Sequence, residues 1–186
     1  MEPTPYRVRW NRVALLLVSL AVVGCDAGLS TSPYQPLEVG QAAPPIQAEG
    51  WMQWQPTGGW VEHPKPSDEQ LSGVVVIDVW AYWCGPCRAS IPELKRVYER
   101  YRDEGVTFIG LTAEGGDALN QSQDFLRDLE VPWPNAYGAE VTINALEVVA
   151  IPTVFVVGRD GKIFWNSFQP GELEDALRKA LAQGST

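Results

Sequence analysis

The chain has 186 residues, which is enough for one domain of ordinary size after a targeting segment. Hydrophobic residues make up 45% and charged residues 20%, a balance typical of a folded globular protein, so disorder throughout the chain is excluded. The net charge of −9 and the lack of a basic cluster after residue 24 argue against a nucleic-acid-binding surface. Three cysteines remain to be explained, one alone and two in a close pair.

The N-terminal segment has the composition of an export signal. Arg7, Arg9 and Arg12 precede an apolar stretch of 12 residues at positions 13–24. A stretch of that length is too short to span a hydrocarbon core of ~30 Å comfortably, and it matches the apolar part of a signal peptide. We therefore predict a signal peptide over residues 1–24.

The end of that segment predicts a lipid anchor. Residues 22–25, Val-Val-Gly-Cys, resemble the lipobox of bacterial lipoproteins, in which the cysteine receives a diacylglyceryl thioether and becomes the new N-terminus. Two acyl chains would anchor the protein stably. We expect lipidation at Cys25, a lipidated tether over residues 25–38 and a folded domain over residues 39–186. An ordinary signal peptide with an incidental cysteine is the alternative.

Tryptophan is concentrated early in the predicted domain. Trp51, Trp54 and Trp60 lie among glycines and prolines between residues 50 and 66, a pattern that predicts an irregular hairpin. We expect these side chains to pack against a sheet edge, and a recognition surface is the alternative. His63 is the only histidine, and we expect it to be exposed.

The rest of the chain alternates predicted strands and helices. A continuous β-branched run over residues 74–80 predicts a strand that is covered on both faces, and apolar residues at helical spacing follow it to about residue 102. The later elements come in this order: a strand at 106–111, a helix at 117–129, an extended segment at 131–137, a short helix at 140–148, a hairpin with strands at 152–157 and 162–165, and a helix at about 171–182. A short helical turn at 67–70 precedes them all. This order predicts an α/β fold.

The paired cysteines, Cys84 and Cys87, come between the first predicted strand and its helix. The first cysteine then lies at the helix N-terminus, where free backbone N–H groups and the helix dipole stabilise a thiolate. We predict that Cys84 is the nucleophile and that Cys87 attacks the mixed disulfide. Pro86 suits the first helical turn, and Gly85 allows another chain to approach closely.

Other uses of a CxxC pair fit the sequence less well. A structural zinc site needs four ligands, and the chain offers one cysteine pair and one distant histidine. A purely structural disulfide across two residues constrains the unfolded chain little. A copper site of the cysteine-and-histidine type lacks a histidine in the C-terminal half. We therefore expect no metal and no cofactor other than a redox-active disulfide.

Residues 83–88, Trp-Cys-Gly-Pro-Cys-Arg, resemble the thioredoxin active site. The chain from about residue 39 resembles the membrane-anchored, TlpA/ResA-like thiol–disulfide oxidoreductases of that superfamily. Pro92 matches the proline that kinks the active-site helix in thioredoxins. The resemblance implies a thioredoxin-like fold, with a central mixed sheet flanked by helices, an N-terminal extension and an extra strand–helix insertion of the TlpA type. It also makes Trp83 part of the active-site surroundings.

The same resemblance assigns roles outside the cysteine motif. Ile151, Pro152 and Thr153 match the segment that holds a cis-proline opposite the cysteines and pairs with an extended substrate; a trans proline opening a strand is the alternative. Asp78 falls on the buried acid of thioredoxins. Desolvation should raise its pKa, so that it could accept the proton of Cys87. The alternative is an aspartate at a strand end that is satisfied by backbone donors.

These residues predict an exported thiol–disulfide oxidoreductase that is lipid-anchored to a bacterial membrane and faces the periplasm or extracytoplasmic space. The resemblance implies that it reduces disulfides of exported proteins, such as apocytochromes in cytochrome c maturation, with electrons from a membrane thiol donor. We expect a monomer that does not bind nucleic acid. A redox-inactive binding module with a tryptophan-rich face and a metallochaperone are the alternatives.

Overall fold

The structure is a computed structural model that describes residues 36–61 and 64–183. The predicted signal peptide, the lipidation site Cys25, most of the tether and His63 lie outside the described residues. The signal, the anchor, the domain limits and the exposure of His63 therefore stay predictions. Within the described ranges, no helix is both long enough and apolar enough to cross a membrane.

In the part of the chain that the structure describes, six strands form one mixed sheet, and two short strands form a separate ribbon. In chain order the strands are β1 (Gly50–Met52), β2 (Trp54–Gln55), β3 (Gly59–Trp60), β4 (Val74–Val79), β5 (Val106–Leu111), β6 (Asn135–Tyr137), β7 (Thr153–Val157) and β8 (Ile163–Asn166). The sheet order is β1-β6-β5-β4-β7-β8, and β2 pairs with β3. Strands β4, β5 and β6 are parallel, whereas β1, β7 and β8 are antiparallel to their neighbours.

Within residues 36–61 and 64–183, five α-helices accompany the strands: α1 (Asp68–Leu71), α2 (Gly85–Tyr101), α3 (Leu119–Asp128), α4 (Glu140–Ala145) and α5 (Leu173–Ala182). Each lies where the sequence predicts one, and Pro92 lies inside α2. Helix α4 ends three residues earlier than predicted. There Glu147 adopts a left-handed φ of 55°, and the backbone N–H of Val148 donates to the carbonyl of Ile143 at 3.3 Å, which is the bond that closes a helix C-terminus.

Strand β4 occupies the centre of the sheet and separates two hydrophobic cores. Val74 and Val76 belong to the core between the sheet and helices α2, α3 and α5. Val75 and Ile77 belong to the core on the opposite face, which α1, α4 and residues 37–48 cover. Because side chains alternate along a strand, Asp78 shares a face with Val74 and Val76. The acid therefore points to the same side of the sheet as α2.

The tryptophan-rich segment forms both a sheet edge and the ribbon. Trp51 lies in β1, pairs with Ala136 of β6 and packs against the second core. Trp54 and Trp60 face each other across the ribbon as an edge-to-face pair, with ring centroids 5.5 Å apart. The irregular hairpin is confirmed, and so is the packing of Trp51 at a sheet edge. Trp60 keeps 38% of its surface exposed.

Candidate active site

The two paired cysteines form a disulfide at the N-terminus of α2. Cys84 is the N-cap residue, and its Sγ accepts a hydrogen bond of 3.0 Å from the backbone N–H of Cys87. The two Cα atoms are 5.2 Å apart. Pro86 occupies the first turn of the helix, where a backbone N–H has no acceptor within the helix, so its absence costs no hydrogen bond. The geometry thus places the sulfur of Cys84 where backbone N–H groups and the helix dipole favour a thiolate after reduction.

The disulfide is buried, but the residues beside Cys84 are exposed. Cys84 and Cys87 are 4% and 1% exposed, whereas Gly85 and Pro86 are exposed and the indole of Trp83 is 64% exposed. Exposed residues flank both cysteines. Of the two, Cys84 keeps the larger exposed fraction.

Asp78 is buried beneath this region, with 2% of its surface exposed. Neither carboxylate oxygen has a hydrogen-bond partner among the described residues. Desolvation disfavours the charged form and raises the pKa of Asp78 from 3.8 to about 7. The prediction of a raised pKa is confirmed. The alternative of a strand-end aspartate held by backbone donors is wrong, because Asp78 lies within β4 and its carboxylate lacks such partners.

The surroundings of Asp78 explain why its carboxylate is unpartnered. Asp78 is paired with Gly110 on β5 and Val154 on β7, and neither has a side chain that can donate. Across Gly110, the indole N–H of Trp80 donates to Oδ1 of Asn135 at 2.9 Å, so this donor is already used. A Cβ at position 110 would come within 2.7 Å of the Trp80 nitrogen and would also collide with Asn135. Only glycine leaves room for that bond.

The Ile151–Pro152 bond is cis, as predicted. Thr153 pairs with Val79 at the carboxyl end of β4, the end that leads to the cysteine motif, and its Oγ1 donates to the carbonyl of Ala150 at 2.6 Å. Ile151 packs against both cores. The strand pairing therefore brings the proline segment to the carboxyl end of β4, the same end of the sheet at which Cys84 lies. Pro152 also lines a groove of about 510 Å³ between α2 and the start of α5.

Two contacts beside the cysteine motif were not predicted. The indole N–H of Trp83 donates to Oε1 of Glu114 at 2.8 Å. The guanidinium of Arg88 lies 5.0 Å from the ring centroid of Phe125, which also stacks on Trp80 with centroids 4.6 Å apart. A signal for Glu114 was present, because it follows the carboxyl end of a parallel strand, where sites collect in α/β sheets.

Known proteins resemble this chain in sequence. Residues 72–163 match the family model described as Thioredoxin-like. The chain is 31% identical over 91 residues to the thiol-disulfide oxidoreductase ResA of Bacillus thuringiensis, and the match covers 48% of this chain and 51% of the relative. The chain therefore spans about half the length of that relative. ResA of Oceanobacillus iheyensis is 26% identical over 153 residues, or 80% of this chain and 74% of the relative.

A solved structure agrees with the sequence matches. The thiol:disulfide interchange protein DsbE from Chlorobium tepidum superposes with a TM-score of 0.59 at 26% identity, and the match covers 78% of this chain and 99% of that chain. The mixed sheet, the cysteine pair at a helix N-terminus and the cis-proline all agree with this relationship. Together these matches support a ResA/TlpA-like member of the thioredoxin superfamily.

Proposed function

We propose that the protein is an extracytoplasmic thiol–disulfide oxidoreductase that exchanges disulfides with protein partners through Cys84 and Cys87. The observation that carries the proposal is the cysteine pair itself, with Cys84 as the N-cap of α2 and exposed residues around it. The names of the relatives, thiol-disulfide oxidoreductase and thiol:disulfide interchange protein, support the same activity. The disulfide is its own redox group, and no further cofactor enters the proposal.

In the reduced protein, the Cys84 thiolate attacks one sulfur of a substrate disulfide. A bond forms between Cys84 and the substrate, and the other substrate sulfur leaves as a thiolate. Cys87 then loses its proton and attacks the Cys84 sulfur, which forms the Cys84–Cys87 disulfide and releases the second substrate thiolate. Two electrons pass from the protein to the substrate, and a thiol donor must return them before the next cycle.

Asp78 is the proposed acceptor of the Cys87 proton. Side chains alternate along β4, so Asp78 lies on the same sheet face as Val74 and Val76, which belong to the core that also contains Cys87. A carboxylate with a pKa of about 7 is half deprotonated near neutral pH, which suits a group that must accept a proton and later return it. No protein donor among the described residues competes for its oxygens.

Pro152 is proposed to place backbone groups beside Cys84 for an extended substrate segment. The cis bond at Ile151 and the pairing of Thr153 with β4 support this role, because they hold the segment at the edge where α2 begins. Trp83, Gly85 and Pro86 would form the opposite side of the contact.

We further propose that the protein works at a bacterial membrane, anchored through a lipid on Cys25, as a monomer on the extracytoplasmic side. The lipobox-like residues 22–25 support this location. The resemblance to the TlpA/ResA-like proteins supports reduction as the direction, with a membrane thiol donor and with exported proteins, such as apocytochromes in cytochrome c maturation, as substrates.

Insulin reduction by the purified full-length chain tests the activity. Wild type should reduce insulin, and Cys84→Ser should not, because the attacking sulfur is gone. Equal rates for the two would instead support the redox-inactive binding module.

Cys87→Ser should accumulate a mixed disulfide with its natural partner, which mass spectrometry can identify. Equilibration with glutathione measures the reduction potential of the Cys84–Cys87 disulfide and so tests the direction of electron flow. A value near the oxidising end of the range for CxxC proteins, about −120 mV, would contradict a reductase.

A further inference from the structure

Trp83 combines high exposure with a fixed orientation. Its side chain is 64% exposed, the highest value among the large exposed hydrophobic residues of the described chain. Such a side chain normally samples several rotamers. Here the indole N–H donates to Oε1 of Glu114 at 2.8 Å, in a hydrogen bond to an acidic side chain. The bond connects the residue before Cys84 to the loop that follows β5.

Glu114 is itself held in place from the sheet. The hydroxyl of Thr112 donates to the second carboxylate oxygen of Glu114, and the backbone N–H of Gly138 donates to the Glu114 carbonyl at 2.9 Å. Thr112 is fully buried, and its own N–H donates to the carbonyl of Ala136 at 3.0 Å. The contacts with β5 and β6 therefore hold Glu114 in place, and its hydrogen bond to the indole N–H in turn orients Trp83.

We propose that Glu114 is a positioning residue, which holds the Trp83 indole beside Cys84 as a preformed wall for the disulfide-bearing segment of a protein substrate. This inference rests on the proposed oxidoreductase function. A free indole would lose rotamer entropy when a substrate packs against it, whereas an indole that is already fixed loses less. The bond should therefore strengthen substrate binding and leave the exchange chemistry at Cys84 nearly unchanged.

The alternative is that Glu114 acts through its negative charge alone. Glu114→Gln separates the two, because a glutamine oxygen still accepts the indole N–H while the charge is lost. Glu114→Ala removes both the charge and the acceptor. Trp83→Phe keeps an aromatic ring but removes the donor. Glu104→Ala is a matched control, since Glu104 is an exposed acid in the turn after α2, before β5 begins.

The test uses the reduced full-length chain mixed with increasing insulin, so that a single turnover gives a half-saturating concentration and a limiting rate. Glu114→Ala and Trp83→Phe should each raise the half-saturating concentration about fivefold, within the range for loss of one hydrogen bond, with limiting rates changed about twofold at most. The double variant should be no worse than either single variant. Glu114→Gln and Glu104→Ala should resemble wild type.

The indole N–H resonance of Trp83 in a ¹⁵N-correlated spectrum gives an independent readout. It should shift in Glu114→Ala and stay near its wild-type position in Glu114→Gln, while the other resonances show that both variants are folded. Glu114→Gln as impaired as Glu114→Ala would overturn the positioning role in favour of charge. Unchanged half-saturation in Glu114→Ala, with Cys84→Ser inactive, would overturn this inference alone. A wild-type chain that fails to reduce insulin would overturn the proposed function and this inference with it.

Discussion

Two acidic residues flank the cysteine pair in opposite environments. Asp78 lies beneath the site, 2% exposed, with both oxygens unpartnered among the described residues. Glu114 lies beside the site, half-buried, with one oxygen bonded to Trp83 and the other to Thr112. Desolvation gives the first acid a pKa of about 7, and hydrogen bonds give the second a fixed position. We propose proton transfer for the buried acid and substrate positioning for the hydrogen-bonded one.

The largest expected effect comes from removing the attacking sulfur, without which neither proposed role can affect disulfide exchange. Cys84→Ser should lower the rate of insulin reduction by about a thousandfold or more, because a serine hydroxyl stays protonated and is a poor nucleophile toward a disulfide. Cys87→Ser should retain the first exchange and stop at the mixed disulfide. A Cys84→Ser chain that still exchanges at the wild-type rate would separate both acids from redox chemistry.

Asp78 should also make stability depend on pH in a direction unusual for an acid. Its folded-state pKa lies above the unfolded value, so the folded protein binds the proton more tightly, and stability falls as the pH rises from about 4 to about 7. The full effect corresponds to about 4 kcal/mol, of which about 3 kcal/mol lies between pH 5 and pH 8. Asp78→Asn has no such loss.

Urea unfolding of the oxidised wild type and Asp78→Asn at pH 5 and pH 8 measures this difference. The variant should gain about 3 kcal/mol relative to wild type between the two pH values, since contributions from all other carboxylates cancel in the comparison. A constant difference would mean that water or a local rearrangement solvates the Asp78 carboxylate.

A smaller effect is expected on the second exchange step. Asp78→Asn should slow the attack of Cys87 on a mixed disulfide by about 10- to 100-fold, the usual range for loss of a general base. In wild type this rate should rise with pH through about 7 as Asp78 loses its proton, and the variant should lack that rise. Stopped-flow measurement of mixed-disulfide decay from pH 6 to pH 9 tests this, and identical profiles would remove Asp78 from the proton transfer.

The sequence predicted the parts of the site that depend on local pattern. A β-branched run followed directly by a CxxC pair predicts a buried strand and a helix N-terminus, and both lie where expected. The pKa of Asp78 followed from the same run, because one carboxylate in an apolar strand loses its solvent wherever the strand is central. The cis bond at Pro152 came from family resemblance rather than from spacing.

The contacts that the sequence missed join elements that are distant along the chain. The bond from Trp83 to Glu114 spans 31 positions and the bond from Trp80 to Asn135 spans 55. Both depend on the pairing of β4, β5 and β6, which hydrophobic pattern alone does not specify. The side-chain rotamers at the ends of these strands determine which polar groups form hydrogen bonds. The position of Glu114 in the sequence therefore indicated a candidate site residue but did not identify Trp83 as its partner.

A last prediction concerns the packing that keeps Asp78 apart from its polar neighbours Trp80 and Asn135. Gly110→Ala places a methyl group where Trp80 and Asn135 form their bond, so the bond must break or β5 must shift, and we expect a loss of about 2 kcal/mol, within the range for overpacked cores. Gly85→Ala is the control, because its added Cβ meets open space and alanine favours the helix. If Gly110→Ala is as stable as Gly85→Ala in urea unfolding, the Trp80–Asn135 bond contributes little. Gly110→Ala could instead be less stable and also shift the pH-dependent loss of stability, assigned to Asp78, to lower pH. In that case the displaced N–H groups of Trp80 or Asn135 have reached the Asp78 carboxylate. The absence of hydrogen-bond donors around Asp78 then depends on a glycine in the neighbouring strand.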